Sequence, residues 1–143
     1  MRQCIIAVLA LPAIASATPT DGAKAELTIT AAGIAPLAGQ VRVAAFCSER
    51  AYRAFQADAA VVLDASAASV AATLTVPAGE CAVLVHHDVD GDGRLTRGLF
   101  GIPSEPTAAS GDARGLFGPP AWARARVRLT EGSNALTVRL SRP

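Results

Sequence analysis

Apolar and polar residues alternate one for one along several short stretches of this chain. A period of two is the signature of a strand with one buried face. Leu27 and Ile29 alternate with Thr28 and Thr30 before Gly33. Val41, Val43 and Ala45 alternate with Arg42 and Ala44 ahead of Cys47. Residues 59–63 and 70–76 read as short strands, the second ended by Pro77 and Gly79, and residues 81–87 are apolar enough to be central. The clearest alternation sets Ala123, Ala125, Val127 and Leu129 against Arg124, Arg126 and Arg128. A turn at 131–134 then leads to Leu136, Val138 and Leu140. Seven strands joined by turn signals predict an all-β, two-sheet sandwich. One short helix is expected over 48–56, capped by Ser48, with Tyr52 and Phe55 turned to the core at i, i+3 spacing.

At 143 residues the chain is long enough for one domain around one core. Apolar residues make up 51% but aromatics only 4%, so that core must be built from small aliphatic side chains. Part of the apolar excess lies at the start. Arg2, the apolar run 5–14 and the Ala15-Ser16-Ala17 site have the layout of a cleavable signal peptide, residues 1–17, cut after Ala17. The run is too short to span a bilayer and Pro12 interrupts it. The expectation is a periplasmic or secreted domain, residues 18–143, with no transmembrane segment. Loss of Arg2 lowers the formal net charge from +1 to zero, which removes the basic balance that would favour nucleic acid. Cys47 and Cys81 remain after cleavage, and an oxidising compartment favours a disulfide between them over two separate buried thiols.

Residues 88–122 escape the alternation. This long connection, rich in Gly, Pro and Asp, is where function is expected. It opens with Asp88, Asp90 and Asp92, followed by Gly93. Carboxylates at alternate positions before a glycine form the first half of an EF-hand-type calcium loop, with the Arg94 carbonyl as a further oxygen ligand. The bidentate Glu of that motif is absent, since Leu99 stands in its place, and Glu105 would have to fold back to supply it. The alternative is a solvated Asp/Gly turn that binds nothing.

His86 and His87 precede the acidic run, but neighbours on a strand point to opposite faces and do not share one ion easily. No nucleophile motif accompanies them, so an enzyme is not expected. Residues 97–103 and 114–120 repeat one pattern, and Phe100, Phe117 and Trp122 are either anchors for an envelope protein or glycan bound through the 97–122 loop, or simply core. Arg124, Arg126, Arg128 and Arg139 form either an anion-binding stripe or an ordinary wet sheet face.

Residues 79–82, then 87–95, then Gly101-Ile102-Pro103-Ser104-Glu105, and finally 113–115 and 117–120, follow one another in an order that resembles DUF2141, a family of exported bacterial proteins. Cys81 stands where that family commonly has an aromatic, and Thr96 where it has an aspartate. The resemblance implies an Ig-like or transthyretin-like sandwich and no established activity. The function expected is a non-catalytic module binding Ca²⁺ through its Asp-rich loop. The alternative is an interaction module using residues 97–122.

Overall fold

The computed structural model of the chain describes residues 22–115 and 117–142. The expected signal peptide and its cleavage point lie outside the described residues. Eight strands are formed: β1 (Lys24–Ala32), β2 (Gln40–Phe46), β3 (Ala59–Asp64), β4 (Ser69–Pro77), β5 (Gly79–Asp88), β6 (Thr107–Ala109), β7 (Val127–Leu129) and β8 (Gly132–Arg139). Two short helices accompany them, α1 (Glu49–Arg53) and α2 (Trp122–Ala125).

The strands make two sheets. In the first, β1 lies between β4, its antiparallel neighbour, and β8, which runs parallel to it. The second has the order β3-β2-β5-β6, all antiparallel, and β7 pairs with the first residues of β5. Leu27, Ile29, Val76 and Val138 of the first sheet share one core with Val41, Val43, Val83 and Val85 of the second. Each such side chain contributes about 1.5–3 kcal/mol when fully buried. These are the inward members of the alternations read from the sequence. The mostly-β, two-sheet expectation is therefore met.

The outer face of the second sheet positions the site, and its character changes along its length. Phe46 and Ala82 lie at one end under the two helices, in a second cluster with Tyr52, Ala109, Ala113 and Ala125. Arg42, His86 and Asp88 share that face by strand parity at the other end, and Arg42 is paired directly opposite His86. Cys47 and Cys81, one step beyond the Phe46–Ala82 pair, are joined by a disulfide that ties β2 to β5.

Three expectations are corrected. Among the described residues there are eight strands, not seven, because β6 forms inside the long connection. The alternation at 123–129 is a strand only from Val127, since residues 122–125 turn into helix α2. Alanine and arginine are among the best helix formers, so an Ala/Arg alternation does not decide between the two periods. Tertiary contacts decide it. Ala125 is fully buried in the second cluster, and its carbonyl accepts the hydroxyl of the buried Ser110, which itself accepts the Val83 amide at 2.8 Å. The arginine stripe dissolves with the strand: Arg124 sits on the helix and Arg126 pairs with Glu80 at 3.0 Å.

The third correction concerns Phe55. Ser48 does cap α1, accepting the Ala51 amide at 3.1 Å, and Tyr52 is buried. Phe55, however, lies beyond the helix with φ 52° and is 63% exposed.

A candidate metal site at the end of strand β5

Asp88 is the last residue of β5 and is completely buried. Its Oδ2 accepts the Arg42 Nε at 3.0 Å and the Gly93 amide at 2.9 Å. Its Oδ1 has no hydrogen-bond partner. Burial pushes the Asp88 carboxyl up, but the Arg42 guanidinium and the Gly93 amide on Oδ2 outweigh it and, with Gly91 and Asp90 close by, hold the group below the usual carboxylate range.

The chain after Asp88 is folded by its own carboxylates. Asp90 Oδ1 accepts the Asp92 amide at 3.1 Å and Asp92 Oδ1 accepts the Arg94 amide at 2.7 Å, two successive Asx turns. Gly93, at φ 79°, brings the loop over Arg42; a Cβ there would stand 3.3 Å from Nη2 of that guanidinium. Gly39 is needed on the other side, because a Cβ at its φ of 71° would overlap the Asp88 and Val89 carbonyls.

Glu105 folds back onto this loop. Its Oε1 accepts the Val89 amide at 2.9 Å, and its Oε2 accepts the Thr96 amide at 3.0 Å while lying 2.7 Å from His86 Nε2. The residue is 6% exposed. Burial raises its carboxyl, yet the Thr96 amide, His86 and the Val89 amide together hold it below the ordinary value. One oxygen each from Asp88, Asp90 and Glu105 lie within 4.8 Å of one another.

Of the residues expected to bind metal, the structure thus gathers Asp88, Asp90 and Glu105. Asp92 is exposed and lies outside that group of three, and Arg94, expected to act through its backbone carbonyl, is exposed as well. The two histidines face opposite ways as expected: His86 joins Glu105, while His87 is fully buried with Nε2 2.8 Å from the Ala38 carbonyl. Arg42 was not foreseen at the site. The sequence shows it only as the polar member of an alternation, and its partner depends on which strand lies alongside.

The aromatic residues of the long connection are arranged differently. Phe100 and Phe117 are 83% and 68% exposed and pin nothing to the sheets. Trp122 is half-buried, with its ring centroid 5.6 Å from that of Tyr52, whose hydroxyl donates to the Pro120 carbonyl at 2.7 Å. Among the described residues, no helix is long and apolar enough to cross a membrane.

Two packed sheets with an acidic loop closing one strand end define the class: a β-rich module carrying a carboxylate cluster. The model of the family DUF2141, described as an uncharacterized protein conserved in bacteria, matches residues 29–137, and the chain belongs to that family. No curated protein and no solved structure matches the chain.

Proposed function

We propose that this is a non-catalytic exported module whose Asp88–Asp90–Glu105 cluster binds Ca²⁺. The observation that carries the proposal is the Asp88 carboxylate, completely buried with Oδ1 left unpartnered. A buried acceptor without a partner costs about 1–3 kcal/mol, more when charged, and a bound cation removes that cost. All three ligands are hard carboxylate oxygens, the donor type Ca²⁺ prefers. Loop carbonyls and water would complete its six to eight ligands. Three acidic groups and one guanidinium leave a formal charge of −2, which a divalent ion balances.

Thermal unfolding with calcium and with a chelator tests this. At ten times its Kd, calcium stabilises the native state by about 1.4 kcal/mol, a rise of a few degrees in Tm. Asp90→Asn, at an exposed position, should abolish the rise and leave the chelated protein unchanged. An identical Tm in chelator and in 10 mM calcium (about ten times a millimolar Kd) sinks the proposal.

The exposed Phe100 and Phe117 favour a second reading, an envelope protein or glycan bound through residues 97–122. Capture from envelope extracts by the protein, but not by Phe100→Ser/Phe117→Ser, would support it; equal capture by both would end it. Kinship with Ig-like or transthyretin-like sandwiches belongs to the proposal too, supported by the two face-packed sheets. An experimental structure superposed on both types decides it.

A further inference from the structure

We propose that Arg42 is a built-in counter-cation that sets the charge of the carboxylate site, and through it the site's affinity and its preference among ion valences. This rests on the cation-binding proposal above. Arg42 projects from β2 beneath the loop, with Nε on Asp88 Oδ2 at 3.0 Å and Nη2 on Gln40 Oε1 at 3.2 Å. It engages one oxygen of Asp88 and leaves the other without a partner. Asp88 is thereby divided between two positive charges: a fixed one from the sheet and a mobile one from solution. Gly93 stands beside the guanidinium, where a Cβ would lie 3.3 Å from Nη2, so the loop passes directly over the arginine.

The consequence is electrostatic. With Arg42 the three carboxylates and the guanidinium sum to −2; without it they sum to −3. Affinity in oxygen-ligand sites follows ligand charge. Arg42 therefore weakens the site for every cation, in proportion to the charge on the ion. It also spares the empty site the repulsion of three carboxylates, so the loop keeps its shape between binding events. The site is tuned to release its ion, with affinity surrendered in exchange for a fold that survives without it.

Proportionality to ion charge gives the test a form that general loosening of the loop does not imitate. Titration calorimetry with Ca²⁺ alone and La³⁺ alone is run on the wild type, Arg42→Gln, Arg42→Lys and Gln40→Glu. Removing one positive charge next to the site should tighten Ca²⁺ by on the order of tenfold, and La³⁺ by the three-halves power of that factor, about thirtyfold. Arg42→Lys keeps the charge and should stay within about threefold of wild type for both ions. Gln40→Glu adds a negative charge beside the guanidinium without stripping Asp88 of its partner, so it serves if Arg42→Gln folds poorly. It should tighten both ions in the same order.

Calcium binding by the wild type with unchanged affinities in Arg42→Gln and Gln40→Glu would overturn the inference and leave the cation site standing. Equal tightening for Ca²⁺ and La³⁺ would also overturn it, because a charge effect must scale with valence. No binding by any of the four proteins would remove both proposals. A silent wild type beside a binding Arg42→Gln would support the inference at its limit, with Arg42 filling the site, and would overturn calcium as the native ligand.

Discussion

Glu105 Oε1 accepts the Val89 amide at 2.9 Å, so a residue near the start of β6 fastens the first residue after β5. Its other oxygen takes the Thr96 amide and stands beside His86. One side chain thus ties two separate points of the loop to each other and to His86 of β5. Glu105→Ala leaves the amide of half-buried Val89 without its acceptor and returns the amide of exposed Thr96 to water. The expected loss is roughly 1–3 kcal/mol, the cost of one sheltered unsatisfied group. Glu105→Gln keeps a carbonyl oxygen for one amide and should lose about half as much. Urea unfolding in chelator measures both, and a change under about 0.5 kcal/mol in the Ala variant would show that the loop holds itself.

Acid should loosen the cation-free protein through the same two carboxylates. Asp88 and Glu105 are raised by burial, but Arg42 and the amides around Asp88, and the Thr96 amide, His86 and the Val89 amide around Glu105, prevail and leave each folded-state value depressed. A depressed value means that the unfolded chain binds protons first. The stability this contributes is complete above the unfolded carboxylate values, about pH 4, and drains away as pH falls through the folded ones. Urea midpoints in chelator should be level from about pH 7 to 5 and then decline below about pH 4. Asp88→Asn should flatten part of that decline. Stability that rises on acidification would contradict the assignment.

The strands were legible because inward Leu27, Ile29, Val41, Val43, Val83 and Val85 follow the simplest pattern a sequence can carry. The site was legible in part. Asp88 and Asp90 announce themselves by spacing, and the missing bidentate ligand pointed to Glu105 as the one acid able to fold back. Arg42 was not legible. Its meeting with Asp88 requires β2 and β5 to be neighbours in a register that sets Gln40 opposite Asp88 and Arg42 opposite His86, and no local pattern encodes that pairing. Helix α2 was missed for a related reason. Its Ala/Arg alternation fits both periods, and only Ser110, brought in from a distant loop, selects the helical one.

Gly39 tests how closely the chain must approach the site. Its φ of 71° lies in the left-handed region, and a side chain there would run into the carbonyls of Asp88 and Val89. Gly39→Ala meets both penalties at once, about 1–2 kcal/mol for the conformation and more for displacing the backbone that carries Asp88. The expected result is a loss above about 2 kcal/mol together with loss of any calcium-dependent shift in Tm. Gly91 also has a positive φ, 73°, but open space around it, so Gly91→Ala should show the conformational penalty alone. Equal losses in the two variants would mean that the approach at Gly39 does not matter.

Phe55 offers a substitution whose size of effect separates the sequence expectation from the structure. Spacing from Tyr52 predicts a core residue, and truncating a core Phe costs about 3–5 kcal/mol. In the structure Phe55 is the residue that ends α1 in a left-handed turn, with the Gln56 amide donating to the Ala51 carbonyl at 2.9 Å and its own amide to that of Tyr52 at 3.2 Å. That closure is the one glycine usually makes at a helix end. A glycine there relieves about 1–2 kcal/mol of left-handed strain, offset in part by its greater freedom in the unfolded chain. What it forfeits is an edge-on contact with Phe46, ring centroids 6.5 Å apart, from a side chain that is 63% exposed. Such a contact is worth about 0.5–1.5 kcal/mol. Phe55→Gly should therefore fall between a loss of about 1.5 kcal/mol and a gain of about 1 kcal/mol in a urea melt. A loss above about 2 kcal/mol would return Phe55 to the core, where the helical spacing had placed it.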